Sequence, residues 1–320
     1  MKAAIVESFA KPPLYGSFAD PVAEPGELLV EVEAAGLHPI VKSLANGTHY
    51  GSTGKLPFVP GVDGAGRLND GTRVYFGVSR PPFGTFAERA VTNSALSMRL
   101  PDGLDSVKAA AIANPGMSSW VALTMRAEFR AGESVLILGA TGAAGQLAVQ
   151  IAKRLGARRV AAAGRNPEAL ASLKDLGADA VITLEQSREA LVAAFREEIA
   201  DHGVDVVLDY LWGAPAEALV AAIAQKGLSH AAPRIRFVQI GQSAGATITL
   251  AGATLRSSGV ELLGSGFGSA SMERIFAALA EFFEHAAKTP FATKVEARPL
   301  RDVETLWNAP QRGVRLVFQP

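Results

Sequence analysis

Residues 135–165, VLILGATGAAGQLAVQIAKRLGARRVAAAGR, constrain this chain more than any other stretch. Val135 to Leu138 form a short continuous apolar run, the pattern of a strand covered on both faces. Gly139, Gly142 and Gly145 then space a turn whose backbone can approach an anion closely. Leu147, Ala148, Ile151, Ala152 and Leu155 recur at intervals of three and four, which predicts an amphipathic helix stopping at Gly156. A second strand follows over 159–163. A helix start facing a glycine turn offers unpaired amides and the positive end of a dipole to an anion. Strand, turn, helix and strand within about thirty residues form the unit that cradles a dinucleotide pyrophosphate. Thr141, Gly142, Ala143 and Ala144 are its candidate cradle residues. Against G-x-G-x-x-G the first glycine is Ala140, with Gly139 just before it, so the surrounding elements rather than the motif carry the reading.

The tip of the second strand selects the cofactor. An enzyme using NADH places Asp or Glu there, accepting hydrogen bonds from the ribose hydroxyls and repelling a 2′-phosphate. This chain has Gly164-Arg165. A guanidinium can clamp a phosphate through two parallel bonds, so the expected cofactor is NADPH.

Strands alternate with helices after Ala131-Gly132: 135–138, 159–163, 179–182, 204–209, 235–240 and 260–264. A helix from Pro167 to Leu176 has Asn166 as N-cap and Gly177 just past its end. Six such strands predict an α/β fold, a doubly wound parallel sheet of Rossmann type. Ligands sit outside the carboxyl ends of such strands, so Gly241, Gln242, Ser265 and Phe267 are candidate walls of the nicotinamide pocket.

Residues 1–115 read differently. Val30 and Val32 alternate with Glu31 and Glu33, and turns cluster at Pro25-Gly26, Asn46-Gly47, Pro60-Gly61 and Asp70-Gly71. That is a β-rich unit with long loops. A helix is expected from about Asp105 to Ile112 and a separate one from about Trp120 to Arg126. The closing segment, 266–320, has a helix at 272–287 and strands at 294–297 and 314–318. It is expected to rejoin the N-terminal unit, leaving 116–265 as the cofactor-binding domain.

Composition excludes several classes. With 31 basic and 31 acidic residues nothing global attracts nucleic acid or an anionic membrane. No apolar run approaches the ~20 residues of a membrane span. The opening MKAAIVESFAKPP lacks a signal-peptide core and reads as a first strand. The absence of cysteine removes disulfides, thiolate nucleophiles and cysteine-bound zinc, and makes a cytoplasmic location the expectation.

Beyond these readings the chain resembles the zinc-independent quinone oxidoreductase branch of the medium-chain dehydrogenase/reductase superfamily. The resemblance covers essentially the whole chain. It rests on GLHPIVKSLANGTHY and LPFVPGVDGAG, on GTFAERAV and LPDGL, and on GATGAAGQLAVQIAKRLGA and LGADAVI. GVDVVLD, RFVQIG, LLGSG and the closing RGVRLVF extend it. It implies a discontinuous GroES-like β domain packed on a Rossmann domain, an active site in the cleft between them, and a homodimer paired through the sixth strands. Zinc-dependent relatives need cysteine near Leu37-His38, histidine where Val62 stands and cysteine near Asn114. Of these positions only His38 carries a side chain able to bind metal, and a single imidazole without partners is not a zinc site, so no metal is expected. Many quinone reductases carry Asn-Tyr after the third strand, where this chain has Thr183-Leu184. That leaves more of the phosphate recognition to Arg165.

The expected reaction is hydride transfer from NADPH to a small-molecule quinone or α,β-unsaturated carbonyl, whose developing anion is delocalised without a metal. Tyr50 and His38 are the candidate catalytic residues. Tyr50 lies in a loop similar to one that carries a proposed proton-donor tyrosine in related enoyl reductases. His38 stands where quinone reductases often have asparagine beside the nicotinamide ribose. Ser118 matches a hydroxyl residue near the carboxamide, and Arg312 is expected at the surface, with a place facing the cofactor as its alternative. An enoyl-thioester reductase is one alternative, although no basic cluster in the N-terminal half calls for a phosphopantetheine substrate. An NADPH-binding protein with little turnover is the other.

Overall fold

The computed structural model describes residues 1–77, 79–224, 232–310 and 313–320. The chain divides into two units, residues 1–114 with 272–320, and residues 115–271.

The second unit holds a six-stranded parallel sheet. Its strands are β1 (Ser134–Leu138), β2 (Arg159–Gly164), β3 (Ala180–Thr183), β4 (Val206–Asp209), β5 (Arg234–Gln239) and β6 (Gly259–Gly264), in spatial order 3-2-1-4-5-6. Every pairing is parallel. Leu136, Ile137, Leu138, Val206, Val207 and Leu208 are fully buried, as expected of central strands covered on both faces. Helix α1 (Ala143–Arg154) follows β1, and α2 (Pro167–Ser172) follows β2. Helices α3 (Arg188–His202) and α4 (Gly213–Ile223) follow β3 and β4. The apolar stripe of α1 is Leu147, Ala148, Ile151 and Ala152, all buried. The helix starting at Pro167 ends at Ser172, four residues earlier than the pattern predicts. The order reverses between β1 and β4, and the crevice at such a switch point is where an open α/β sheet takes its ligand.

The first unit is built on a second sheet. Its strands run in the order Val295–Pro299, Arg315–Gln319, Glu27–Gly36, Asp63–Arg67, Arg73–Gly77 and Ser97–Arg99, and Arg89–Asn93 also pairs with Glu27–Gly36. The strands Val295–Pro299 and Arg315–Gln319 therefore close the N-terminal sheet from the far end of the sequence. Phe86 anchors the core of this unit, edge-on to Trp307 and Phe318.

The largest departure from the predicted elements lies where the two units meet in sequence. The two helices expected at 105–112 and 120–126 are a single helix, Ser106–Val121, that runs through Pro115 and continues as a π-helical turn over Ala122–Arg126. Side-chain hydroxyls occupy carbonyls on the far side of the proline. Ser118 Oγ donates to the Pro115 carbonyl at 2.7 Å and Ser119 Oγ to the Gly116 carbonyl at 3.1 Å. Pro115 thus costs the helix a backbone donor without breaking it.

Candidate active site

The glycine turn sits at the carboxyl end of β1. Gly139 and Ala140 both donate their amides to the Ala163 carbonyl of β2, at 3.0 and 2.9 Å, which fixes the turn against the neighbouring strand. Gly139 has φ +86°, a conformation that favours glycine. Gly145 is required by proximity, because a Cβ there would lie 2.4 Å from the Gly139 carbonyl and 2.5 Å from Ala140 Cα. The helix can therefore approach the turn only without a side chain at that position.

Helix α1 is capped by Gly142, which has no side chain to satisfy the first amides. The first backbone bond onto this turn is Gln146 N–H to the Gly142 carbonyl at 2.9 Å. Ala143 and Ala144 thus present their N–H groups outward at the positive end of a twelve-residue helix. Two N-caps elsewhere in this unit contrast with this. Asn166 and Ser187 use their own side chains to cap Ala169 and Ala190. Trp212 and Ala251, at the starts of α4 and of the short helix Gly252–Arg256, also lack a side-chain cap, so what sets the start of α1 apart is its place at the glycine turn of the β1/β4 switch point.

Thr141 links this turn to the tip of β2. Its side chain lies over Gly164, where an added Cβ would meet Thr141 Cγ2 at 2.5 Å. Arg165 follows, exposed, and takes part in no ion pair among the described residues. These residues suit a dinucleotide: amides for a pyrophosphate, and beyond them a free guanidinium where a ribose phosphate would project.

The other predicted wall residues gather at the same edge of the sheet. Gly241 follows β5 and donates its amide to the Asp209 carbonyl at 3.1 Å. Gln242 is exposed; Ser265 and Phe267 are half-buried beyond β6, with the Ser265 amide on the Gln239 carbonyl at 2.9 Å. Ser118 is half-buried on its helix, and its hydroxyl lies 3.3 Å from the Tyr210 phenol oxygen.

Asp209, which ends β4, and Tyr210 and Trp212 just beyond it belong to this edge and are not among the site residues that the sequence reading assigns. Asp209 is fully buried. Its Oδ1 accepts the amides of Leu211 and Trp212 at 2.8 and 3.0 Å, while Oδ2 is buried without a hydrogen-bond partner. Burial pushes this carboxyl up from 3.8 to about 6, against the pull of the two amides. Burial likewise pushes the Tyr210 phenol up to about 12. Trp212 has φ +56°, an outlier for a bulky residue, sustained by the bond its amide gives Asp209. The signal was available in VVLD, an apolar run ending in a carboxylate at the ligand-facing end of a central strand.

Of the candidates in the first unit, Tyr50 is 82 % exposed, its ring against His49 with centroids 4.1 Å apart. His38 is fully buried. Gly36 leaves the space its ring fills, since a Cβ there would lie 2.5 Å from His38 Cε1. His38 Nε2 lies 3.2 Å from Asp63 Oδ1, an electrostatic contact outside hydrogen-bond angles, and Nδ1 lies 3.4 Å from an Arg315 guanidinium nitrogen. The Tyr75 phenol donates to Asp63 Oδ2 at 2.7 Å. The structure therefore does not bring Tyr50 and His38 together: one is a loop side chain in solvent, the other is enclosed in a knot of charge. Among the described residues no cluster of three or more His, Asp or Glu could hold a metal ion. Arg312 lies outside the described residues.

Comparison with known proteins agrees with this architecture. The family model for zinc-binding dehydrogenases matches residues 143–284. A quinone oxidoreductase of Lama guanicoe is 30 % identical over 224 residues, an alignment spanning 66 % of each chain. A probable NADPH-dependent quinone reductase of Emericella nidulans is 26 % identical across the full length of both chains. Among solved structures, the quinone oxidoreductase of Thermus thermophilus, determined alone and with NADPH, superimposes with a TM-score of 0.78 at 28 % identity, covering all of both chains.

Proposed function

We propose that this chain, which belongs to the quinone oxidoreductase-like branch of the medium-chain dehydrogenase/reductase superfamily, is an NADPH-dependent reductase of quinones or α,β-unsaturated carbonyls that works without a metal. The observation that carries this reading is the uncapped start of α1 at the β1/β4 switch point, with Arg165 rather than a carboxylate at the tip of β2. NADPH, when bound, supplies the hydride. The protein's own residues hold and orient it. Ala143 and Ala144 offer amides to the pyrophosphate, Arg165 offers two donors to the 2′-phosphate, and Gly164 lets Thr141 close over the ribose end. Ser118, Gly241, Gln242, Ser265 and Phe267 take the nicotinamide end. The names of the relatives, two of them quinone oxidoreductases and one a probable NADPH-dependent quinone reductase, support the acceptor class.

Reduction of an enone or quinone builds negative charge on oxygen, which a hydrogen-bond donor stabilises. In the first unit this reading gives that role to Tyr50, whose phenol is open to solvent and able to meet an acceptor. It treats His38 as a positioning residue, because both ring nitrogens already face charged neighbours. A cytoplasmic homodimer paired along β6, an edge strand of its sheet, completes the proposal.

The test is oxidation of NADPH followed with benzoquinones, 2-alkenals, enoyl thioesters and simple ketones. Turnover of the first two classes supports the proposal. Preference for thioesters replaces it with an enoyl-thioester reductase, and tight NADPH binding without turnover replaces it with a binding role. Tyr50→Phe should lower kcat about a hundredfold with little change in NADPH affinity. An unchanged kcat removes Tyr50 from the mechanism.

A further inference from the structure

Tyr210 occupies a position that none of the readings above uses. It follows β4, the strand between β1 and β5, and so stands between the turns that close those two strands. A Cβ added to Gly139 would lie 3.3 Å from Tyr210 Cβ, and one added to Gly241 would lie 2.7 Å from the Tyr210 carbonyl oxygen. Glycines on both sides thus leave room for this residue at the switch point. Its backbone is tied down: the amide goes to Leu138 at 3.1 Å, and the carbonyl accepts Ser243 Oγ at 3.0 Å.

The phenol is paired in a defined sense. Ser118 Oγ spends its proton on the Pro115 carbonyl at 2.7 Å, so in the 3.3 Å contact between Ser118 and Tyr210 the phenol donates and Ser118 accepts. Burial holds the phenol protonated, far above neutral pH. With its proton directed to Ser118, the phenol oxygen has lone pairs to offer, so it is an acceptor toward a ligand. The nicotinamide ring carries a carboxamide whose –NH2 is a neutral donor of that kind.

We propose that Tyr210 is a positioning and specificity residue for the nicotinamide half of the cofactor, its phenol oxygen accepting from the carboxamide –NH2 while Ser118 holds the phenol proton. The inference rests on the NADPH reading above and adds to it a residue and a direction of hydrogen bonding. The turn between β4 and α4 is built to hold Tyr210 still. Asp209 gathers the Leu211 and Trp212 amides, and Trp212 takes a left-handed conformation, so the chain reverses immediately after the phenol-bearing residue.

The test measures binding. NADPH affinity, followed by nicotinamide fluorescence, is compared with that for 2′,5′-ADP, which shares the phosphate sites but has no nicotinamide. Tyr210→Phe should weaken NADPH about tenfold and leave 2′,5′-ADP unchanged, the size of one hydrogen bond lost. Ser118→Ala should act in the same direction, Ser118→Thr should retain affinity, and the double variant should be no weaker than the weaker single one. The wild-type protein should prefer NADPH to its reduced 3-acetylpyridine analogue, in which a methyl replaces the –NH2. Tyr210→Phe should erase that preference. Unchanged NADPH affinity in Tyr210→Phe, equal loss for both ligands, or a preference that survives the substitution overturns the inference. A wild-type protein that binds neither NADPH nor 2′,5′-ADP overturns the cofactor reading itself, and the inference with it.

Discussion

Two buried aspartates, one in each unit, show opposite ways of keeping a carboxylate out of water. Asp63 sits among donors and cations. Tyr75 donates to one oxygen, His38 Nε2 stands 3.2 Å from the other, and the charge of Asp63 counteracts the burial that pulls Arg315 down to about 10. Burial and the charge of Asp63 together hold the Tyr75 phenol well above its ordinary range, so it stays a donor. Asp209 has two backbone amides on one oxygen and nothing on the other, and burial drives it toward protonation. The first arrangement is closed on itself and ties the strand Asp63–Arg67 to Arg315–Gln319 and to the loop carrying His38. The second is left half-satisfied beside a glycine turn with uncapped amides and a left-handed tryptophan. A protein tolerates such a site where another requirement overrides stability.

The largest effect should come from opening the closed knot. Asp63→Ala removes the acceptor of the buried Tyr75 phenol and the negative charge that favours the buried Arg315 guanidinium, and leaving a buried donor unsatisfied costs about 1–3 kcal/mol, more beside a charged group. Urea unfolding should report that loss while the affinity for 2′,5′-ADP stays unchanged in the folded variant. Replacing Asp63 and Arg315 together by Asn and Met should recover part of it, because no lone charge remains. A single variant as stable as the wild type would mean that the knot contributes no stability and the contrast with Asp209 fails.

Asp209 should behave in the opposite sense. Its folded carboxyl titrates at about 6, above the ordinary 3.8, so the native state binds the proton more tightly than the unfolded chain. The stability this confers is fully present below about pH 4 and is lost as pH rises through about 6. A shift of about two pKa units corresponds to about 3 kcal/mol across that window. Asp209→Asn keeps an oxygen for the Leu211 and Trp212 amides and cannot ionise. Its stability should therefore lack this component between about pH 4 and 7. Identical pH profiles for variant and wild type would show that the carboxyl is ionised throughout and better satisfied than its geometry indicates.

The difference between the two aspartates also separates what the sequence discloses from what it hides. Periodicity located all six strands of the parallel sheet within two residues, because each is a run of apolar residues covered on both faces, and the glycine turn followed from its place between strand and helix. Pro115 was harder. A proline normally ends a helix at the residue before it, yet this helix runs through Pro115 to Val121, with the hydroxyls of Ser118 and Ser119 on the carbonyls of Pro115 and Gly116. The Asp63 knot was not legible, since it unites residues 38, 63, 75 and 315, whose proximity is a property of the sheet order. Tyr210 was hidden for a related reason. Its role depends on the glycines that flank it in space, Gly139 and Gly241, and on a serine 92 residues away.

Arg165 should give a smaller and more selective effect. It stands exposed beside the Asn166 cap, with no acidic partner among the described residues to hold it elsewhere. A bidentate guanidinium–phosphate contact that is partly solvated contributes about 2 kcal/mol, or roughly thirtyfold in affinity. Arg165→Ala should weaken NADPH and 2′,5′-ADP by that factor and leave NADH nearly untouched. Equal loss for NADPH and NADH would remove Arg165 from the 2′-phosphate and place cofactor choice elsewhere. Because the residue is exposed, its substitution should not move the unfolding midpoint, in contrast to either aspartate.

The smallest expected effect is none at all, from a chelator. The resemblance to metal-dependent relatives directs a zinc ion to Leu37-His38, Val62 and Asn114, of which His38 alone is a ligand type, and the proposed reading is that no metal binds there. The surroundings of His38 oppose a cation further. A guanidinium nitrogen of Arg315 lies 3.4 Å from Nδ1, so the imidazole nitrogen opposite Asp63 already faces a positive charge. A divalent ion at His38 Nδ1 would have to displace that guanidinium inside a buried core, and among the described residues no cluster of three or more His, Asp or Glu is there to hold it. Prolonged dialysis against a strong chelator should therefore leave both NADPH oxidation and the unfolding midpoint unchanged. Activity lost on dialysis and restored by zinc would mean that the knot opens to accept metal, and the two aspartates would then differ less than their geometry indicates.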